Sequence, residues 1–173
     1  MADTRSVTAL DDTDRLLIEA VQQNSRSSLA ELGRRIHLGT SATRARLNSL
    51  EERGVIIGHT ARVAPAALGY ALHAVVRMKV HGALYDKVAE VLDRHPQIVR
   101  CLRITGESCY NLEILATDMA DLERITTDLA RVGSITTDLV YEVVADRPVP
   151  TPDSHPGARR PHGAGSSAGR PDR

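Results

Sequence analysis

SLAELGRRIHLGTSATRARLNSLEERGVII, residues 28–57, reads as a helix-turn-helix. A short helix over 28–36 places Leu29, Leu32 and Ile36 on one side, and His37, Leu38 and Gly39 form a tight turn. A second helix opens at Thr40 and Ser41 and runs to Arg53, with Thr43, Leu47 and Leu50 at the spacing of one buried face. Ser41 is the expected N-cap, and Gly54 the stop, because glycine tolerates a left-handed conformation. Arg44, Ala45, Asn48 and Ser49 are left pointing away from the core. A helix of this kind suits a DNA major groove, where Arg pairs with guanine and Asn with adenine.

Charge supports that reading locally. The formal net charge is +0, but between residues 26 and 62 seven basic residues face three acidic ones, whereas residues 70–145 carry eight basic and eleven acidic. Phosphate binding needs a local positive surface, not a basic average. Composition sets further bounds. The chain has 173 residues, 42% of them hydrophobic, with no Phe or Trp, so Leu, Ile, Val and Ala must build the cores. No apolar run reaches the length of a membrane span, and the polar start MADTRSVTALDD does not read as a signal peptide, so a cytoplasmic protein is expected. Cys101 and Cys109 fit no metal-ligand spacing, and the histidines are scattered enough that surface or turn roles are expected for them. No phosphate loop, nucleophile elbow or paired-carboxylate motif stands out, so no metal, cofactor or catalytic activity is expected.

Working outward, residues 1–9 read as a flexible arm. A helix follows Leu10, with Asp11 as cap, Asp12 and Asp14 against the helix dipole, and Leu16, Leu17, Ala20 and Val21 as its apolar face. Residues 55–63 are rich in β-branched side chains and suit a two-stranded wing, which makes 10–63 a winged helix-turn-helix. Residues 64–69 read as a hinge. The periodicity then changes: strand 72–80, helix 84–94 closed by His95-Pro96, strands 98–105 and 110–116, helix 119–132 stopped at Gly133, and strand 135–144. The order βαββαβ over 70–145 predicts a ferredoxin-like α+β sandwich with helices on one face of an antiparallel sheet. Its other face has no cover within the chain; Val76, Met78 and Val80 alternate with Val75, Arg77 and Lys79, and one of the two sets needs a second copy to bury it, which points to homodimerisation. Residues 146–173, rich in Pro, Gly, Ser and Arg, read as a disordered tail.

These residues together resemble the Lrp/AsnC family, the feast/famine regulators. The resemblance rests on Leu10-Asp11 with Asp14-Arg15, Arg46 with Leu50-Glu51, Gly54-Val55-Ile56, and Gly58 with Thr60-Ala61. It continues through Pro65 with Leu68-Gly69, His95-Pro96, Cys101, and Thr105-Gly106 with Tyr110, and so covers roughly 10–145. It implies a transcriptional regulator that binds double-stranded DNA and pairs into homodimers, assembling further into octamers. A small effector, commonly an amino acid, binds between the dimers. The DNA contacts expected are Arg34, Arg35, Thr40, Ser41, Arg44, Arg46, Asn48 and Arg53, with Arg46 also placed to brace the fold. The effector residues expected are Thr105, Gly106, Glu107, Ser108, Cys109, Tyr110 and Thr137. Two positions depart from the family pattern. Cys109 stands where an Asp often precedes the tyrosine, and Leu139 replaces the second threonine of the last strand. A neutral thiol cannot make the charge-assisted hydrogen bond that a carboxylate offers to an ammonium group. The rival readings are an architectural, nucleoid-associated protein with little sequence preference, and an enzyme built on the ferredoxin-like domain.

Overall fold

The computed structural model describes residues 9–151. Among them the chain divides into a helical unit, which residues from Arg147 onward rejoin, and a sheet unit from Ala61 to Asp146. The expected arm, apart from its last residue, and the tail from residue 152 lie outside the described residues.

The helical unit contains α1 (Asp12–Gln23), α2 (Leu29–Ile36) and α3 (Thr40–Glu52). Each start has a physical cause. The Asp11 carboxylate accepts the Asp14 N–H at 2.7 Å, which caps α1. At α2, Ser28 Oγ accepts the Glu31 N–H while the Glu31 carboxylate accepts the Ser28 N–H at 2.7 Å, a reciprocal capping box. His37 then takes a left-handed conformation, φ 57°, and turns the chain. The cap of α3 is Gly39 rather than Ser41, which lies one residue inside the helix, so the first turn of α3 has no side-chain cap. Leu17, Ala20, Val21, Leu32, Ile36 and Leu50 close the core, with Leu47 packed against it.

The expected wing is not built of strands. Among the described residues none from 55 to 63 joins a ladder. Val55 and Ile56 both point their N–H groups back at the Leu50 carbonyl, at 2.9 and 3.1 Å, and both pack on the helical core. Two consecutive inward side chains defeat the alternation a hairpin needs. The segment caps α3 instead.

After a 3-10 turn at Pro65–Leu68, the sheet unit runs β1 (Leu72–Val80), α4 (Tyr85–Arg94), β2 (Ile98–Arg103), β3 (Tyr110–Ala116), α5 (Met119–Ala130) and β4 (Gly133–Leu139). The strands are all antiparallel in the order β2-β3-β1-β4, the ferredoxin-like arrangement. Alternation along β1 buries Ala74, Val76, Met78 and Val80 with Leu112, Ile114, Leu122, Ile125 and Leu129. The opposite face carries Val75, Arg77, Glu113 and Asp138. Gly133 does not simply end a helix. It opens β4 opposite Val80, two residues before the expected start, and the strand ends at Leu139 rather than at 144.

His95 is also more deeply placed than a surface role allows. It is buried at the end of α4, with Nε2 2.9 Å from Asp128 Oδ2 and Nδ1 3.2 Å from Arg124 Nη1. Guanidinium only donates, so Nδ1 accepts and the Nε2–H donates to Asp128. The histidine bond, with Arg94 and Arg131 nearby, holds the Asp128 carboxyl below the usual range.

Close approach explains one glycine that helix propensity disfavours. A Cβ at Gly33 would lie 2.5 Å from the Leu38 carbonyl oxygen and 3.0 Å from Thr43 Oγ1. Alanine gains roughly 1 kcal/mol of helix propensity, whereas overpacking costs about 1–3 kcal/mol, and a backbone carbonyl cannot rotate away. The clash wins. Gly33→Ala should therefore lower the thermal midpoint of the helical unit, measured by circular dichroism. An unchanged or raised midpoint would show that the turn relaxes freely.

Candidate nucleic-acid interface and effector loop

Three sides of α3 do different work. Thr43 and Leu50 are buried, and the Thr43 hydroxyl donates to the Gly39 carbonyl at 2.9 Å. Thr40, Ser41, Arg44 and Asn48 are all exposed along one outward stripe. Arg46 faces a third way. Its Nη1 lies 2.7 Å from both Asp11 Oδ2 and Asp14 Oδ1, and Asp14 is itself buried. Arg46 therefore sits as the expected brace between α3 and the start of α1, off the outward stripe that Arg44 and Asn48 share. A guanidinium shared by two carboxylates offers a phosphate less net attraction than an unpaired one. Arg53 Nη1 stands 3.8 Å from Asp14 Oδ2, at the margin of the same network.

Arg34 and Arg35 remain exposed at the end of α2, beside an open cleft of about 550 Å³ lined by Gln23, Asn24, Ser27 and Glu31 as well. Arg35 donates to Gln23 Oε1 at 2.6 Å, a surface bond that another acceptor can replace. The outward stripe of α3 and this basic pair are both exposed polar surface of the helical unit.

In the sheet unit, residues 104–109 connect β2 to β3. The Ile104 N–H bonds the Cys109 carbonyl at 2.9 Å, and the Cys109 N–H bonds Met78 on β1 at 2.8 Å. Gly106 has φ 118°, a conformation that side chains rarely adopt, so the loop requires glycine there. Thr105, Gly106 and Glu107 are exposed, while Ser108, Cys109 and Tyr110 are half-buried. Thr137 is not beside them. It pairs with Val76 on the far side of β1, two strands from β3 and so roughly 10 Å from it.

Two residues outside the expected set stand against the loop. Tyr85, at the start of α4, brings its hydroxyl 3.9 Å from Cys109 Sγ, and that contact pushes the phenol pKa up. The Arg103 guanidinium lies 5.0 Å over the Tyr85 ring, whose centroid is 6.5 Å from that of Tyr110. The available signal was composition: in a chain of four tyrosines without Phe or Trp, aromatic residues are scarce enough to mark a special surface. Both cysteines are free, and burial pushes the Cys101 thiol up, toward the unreactive form. Among the described residues no group of His, Cys, Asp and Glu is placed to hold a metal ion, and no helix is long and apolar enough to cross a membrane.

Known proteins divide the chain in the same way. Residues 10–57 match the family described as winged helix-turn-helix DNA-binding, and residues 73–150 match the Lrp/AsnC ligand binding domain. The HTH-type transcriptional regulator LrpC of Bacillus subtilis is 34% identical over 110 residues, 64% of this chain and 76% of that protein. LrpA of Mycobacterium tuberculosis is 35% identical over 105 residues, 60% of this chain and 70% of its own length. The solved structure of B. subtilis LrpC superposes with a TM-score of 0.77 at 28% identity, covering 81% of this chain and 100% of that one. The transcriptional regulator NMB0573 of Neisseria meningitidis, solved as its L-Met complex, gives a TM-score of 0.75 at 26% identity over 80% of this chain and 94% of its own.

The brace yields a pH prediction. The Asp11 carboxyl is held below its usual range, first by the Asp14 N–H and then by Arg46. A depressed carboxyl contributes stability that is complete above the unfolded value, near pH 4, and is lost as pH falls through the folded value. Acid should therefore lower the thermal midpoint of the helical unit below about pH 4. Arg46→Gln should cost about 1–2 kcal/mol at neutral pH, discounted because Asp11 is exposed, and should flatten that acid slope. Parallel midpoint-against-pH curves for the two proteins would refute the brace.

Proposed function

The chain belongs to the Lrp/AsnC family of transcriptional regulators, and we propose that its helical unit reads operator DNA through Thr40, Ser41, Arg44 and Asn48 while its sheet unit senses a small effector. The protein is a DNA-binding regulator of transcription. The observation that carries the assignment of contacts is the outward stripe of α3, exposed along its length while Arg46 is withdrawn into the brace. In a major groove, Arg44 and Asn48 are suited to base edges. Arg34 and Arg35, with Arg53 at the helix end, suit phosphates, which position the protein without reading sequence. Two chains joined through the outer sheet face present two recognition helices to half-sites about one helical turn apart, so the operator is roughly palindromic. Larger assemblies of dimers, the octamer among them, belong to the same proposal.

For the sheet unit, the reading places the effector at Thr105, Gly106, Glu107, Ser108, Cys109 and Tyr110, with Thr137 joining from another copy. The L-Met complex of the Neisseria protein supports an amino acid as the effector class. Glu107 or the loop carbonyls take the ammonium group that Cys109 cannot hold. The effector acts by binding one assembly state better than another and so changes the geometry offered to DNA. The reading includes no catalytic step and no cofactor.

Binding titrations on a selected operator and a scrambled duplex test the DNA face. Arg44→Ala should lose about 1–3 kcal/mol on the operator and little on the scrambled duplex, whereas Arg35→Ala should weaken both alike. Equal losses on both for Arg44→Ala would instead favour an architectural protein with little sequence preference. Light scattering with each of the twenty amino acids tests the sensor, with a mass of several dimers that shifts with one of them as the expected result. Cys109→Asp should then strengthen binding of that amino acid about tenfold or more, the size of one charge-assisted bond. An unchanged affinity would place the ammonium group elsewhere.

A further inference from the structure

The segment that follows the sheet unit depart from the expectation of a disordered tail at its very start, because residues 148–151 lie on α1. Gln22 reads the backbone of Val149 at two points: Oε1 accepts the Val149 N–H at 2.9 Å, and Nε2 donates to the Val149 carbonyl at 3.0 Å. Thr151 Oγ1 donates to Glu19 Oε1. Glu19, Gln22 and Gln23 fall at i, i+3 and i+4, one stripe of the helix, and with residues 148–151 they line a cleft of about 340 Å³. Pro148 and Pro150 flank the residue that is read. Proline fixes φ near −65°, so the extended backbone is set in advance and docking costs less chain entropy. Gln23, on the same stripe, is the acceptor for Arg35 of the basic pair.

We propose that the stripe Glu19–Gln22–Gln23 is a docking surface whose occupant is the chain's own Pro148-Val149-Pro150-Thr151 segment, which acts as a strap on the DNA-binding unit. The helical unit is then tethered twice, covalently by the chain that leaves it after Thr60 and through the hydrogen-bonded strap by the chain that returns at Arg147. A unit tied at two points loses less freedom when it meets DNA. In a dimer this pre-organises both recognition helices for one half-site spacing. That consequence rests on the DNA reading above. The strap itself does not.

Amide exchange on the full-length protein, followed by NMR, tests the strap directly. Proline has no N–H, so the Val149 amide is isolated between two silent positions. It should exchange about tenfold or more slowly than an unstructured amide. Gln22→Ala should return it to the unprotected rate with no change in the thermal midpoint. Thr151→Glu, which sets a carboxylate against Glu19, should loosen the strap, and adding Glu19→Lys should restore it. A Val149 amide at the unprotected rate in the wild-type chain overturns the proposal. On DNA, Gln22→Ala should weaken binding roughly three- to tenfold at an operator of two half-sites and leave a single half-site unaffected. Equal losses on both would overturn the pre-organising role. A wild-type chain that bound neither duplex would overturn the DNA reading and leave the strap to be judged by its amide.

Discussion

The helical unit depends on one guanidinium. Arg46 lies on the recognition helix but spends its charge inward, on Asp11 at the cap of α1 and on the buried Asp14. Buried carboxylates are tolerated only when paired, so Asp14 fixes where Arg46 must be, and Arg46 fixes the rotation of α3. With that rotation set, Thr40, Ser41, Arg44 and Asn48 can only face outward. The same Asp11 caps α1, so a single carboxylate ties the start of the first helix to the middle of the third. Specificity of presentation, more than net stability, is what such a pair supplies.

Close backbone approaches do the corresponding work in the two units. At Gly33 the approach is to the Leu38 carbonyl and lets α2 turn tightly into α3. At Gly133 a Cβ would stand 2.4 Å from the Lys79 carbonyl, so β4 can pair with the end of β1 only because no side chain is there. Neither position has a conformation that demands glycine. Both are fixed by what lies across from them.

That distinction explains how far the sequence could be read. Periodicity located β1 and β3 to the residue and the helices to within two or three, because apolar spacing is local information. The Asp11 cap and the Gly54 stop were legible for the same reason. Features that depend on a distant partner were not. Ser41 looked like a cap, but the cap was set by where His37 turned the chain. Val55 and Ile56 looked like strand, yet the Leu50 carbonyl took their N–H groups. Arg46 reads in the sequence both as a DNA contact and as a brace, and only the position of Asp14, 32 residues away, shows the brace. His95 and Asp128 are 33 residues apart, and Gln22 and Val149 are 127 apart. Nothing in local composition announces either pair.

The effector loop raises the same problem one level higher. Thr137 and the loop at 105–110 sit on opposite sides of β1, and a hydrogen-bonded sheet holds its strands at a spacing that side chains cannot shorten. On the proposed effector reading, Thr137 therefore joins the loop from a different copy of the chain. In one protomer the loop's neighbours are instead Tyr85, whose hydroxyl meets Cys109 Sγ, and Arg103, whose guanidinium lies over the Tyr85 ring. The guanidinium brings a fixed positive charge that repels an ammonium group, whereas the phenol hydroxyl can donate as well as accept. Both suit a carboxylate. On the proposed effector reading, the acid end of an amino acid faces Tyr85 and Arg103, and the amine end is left to Glu107, to loop carbonyls or to a residue across an interface.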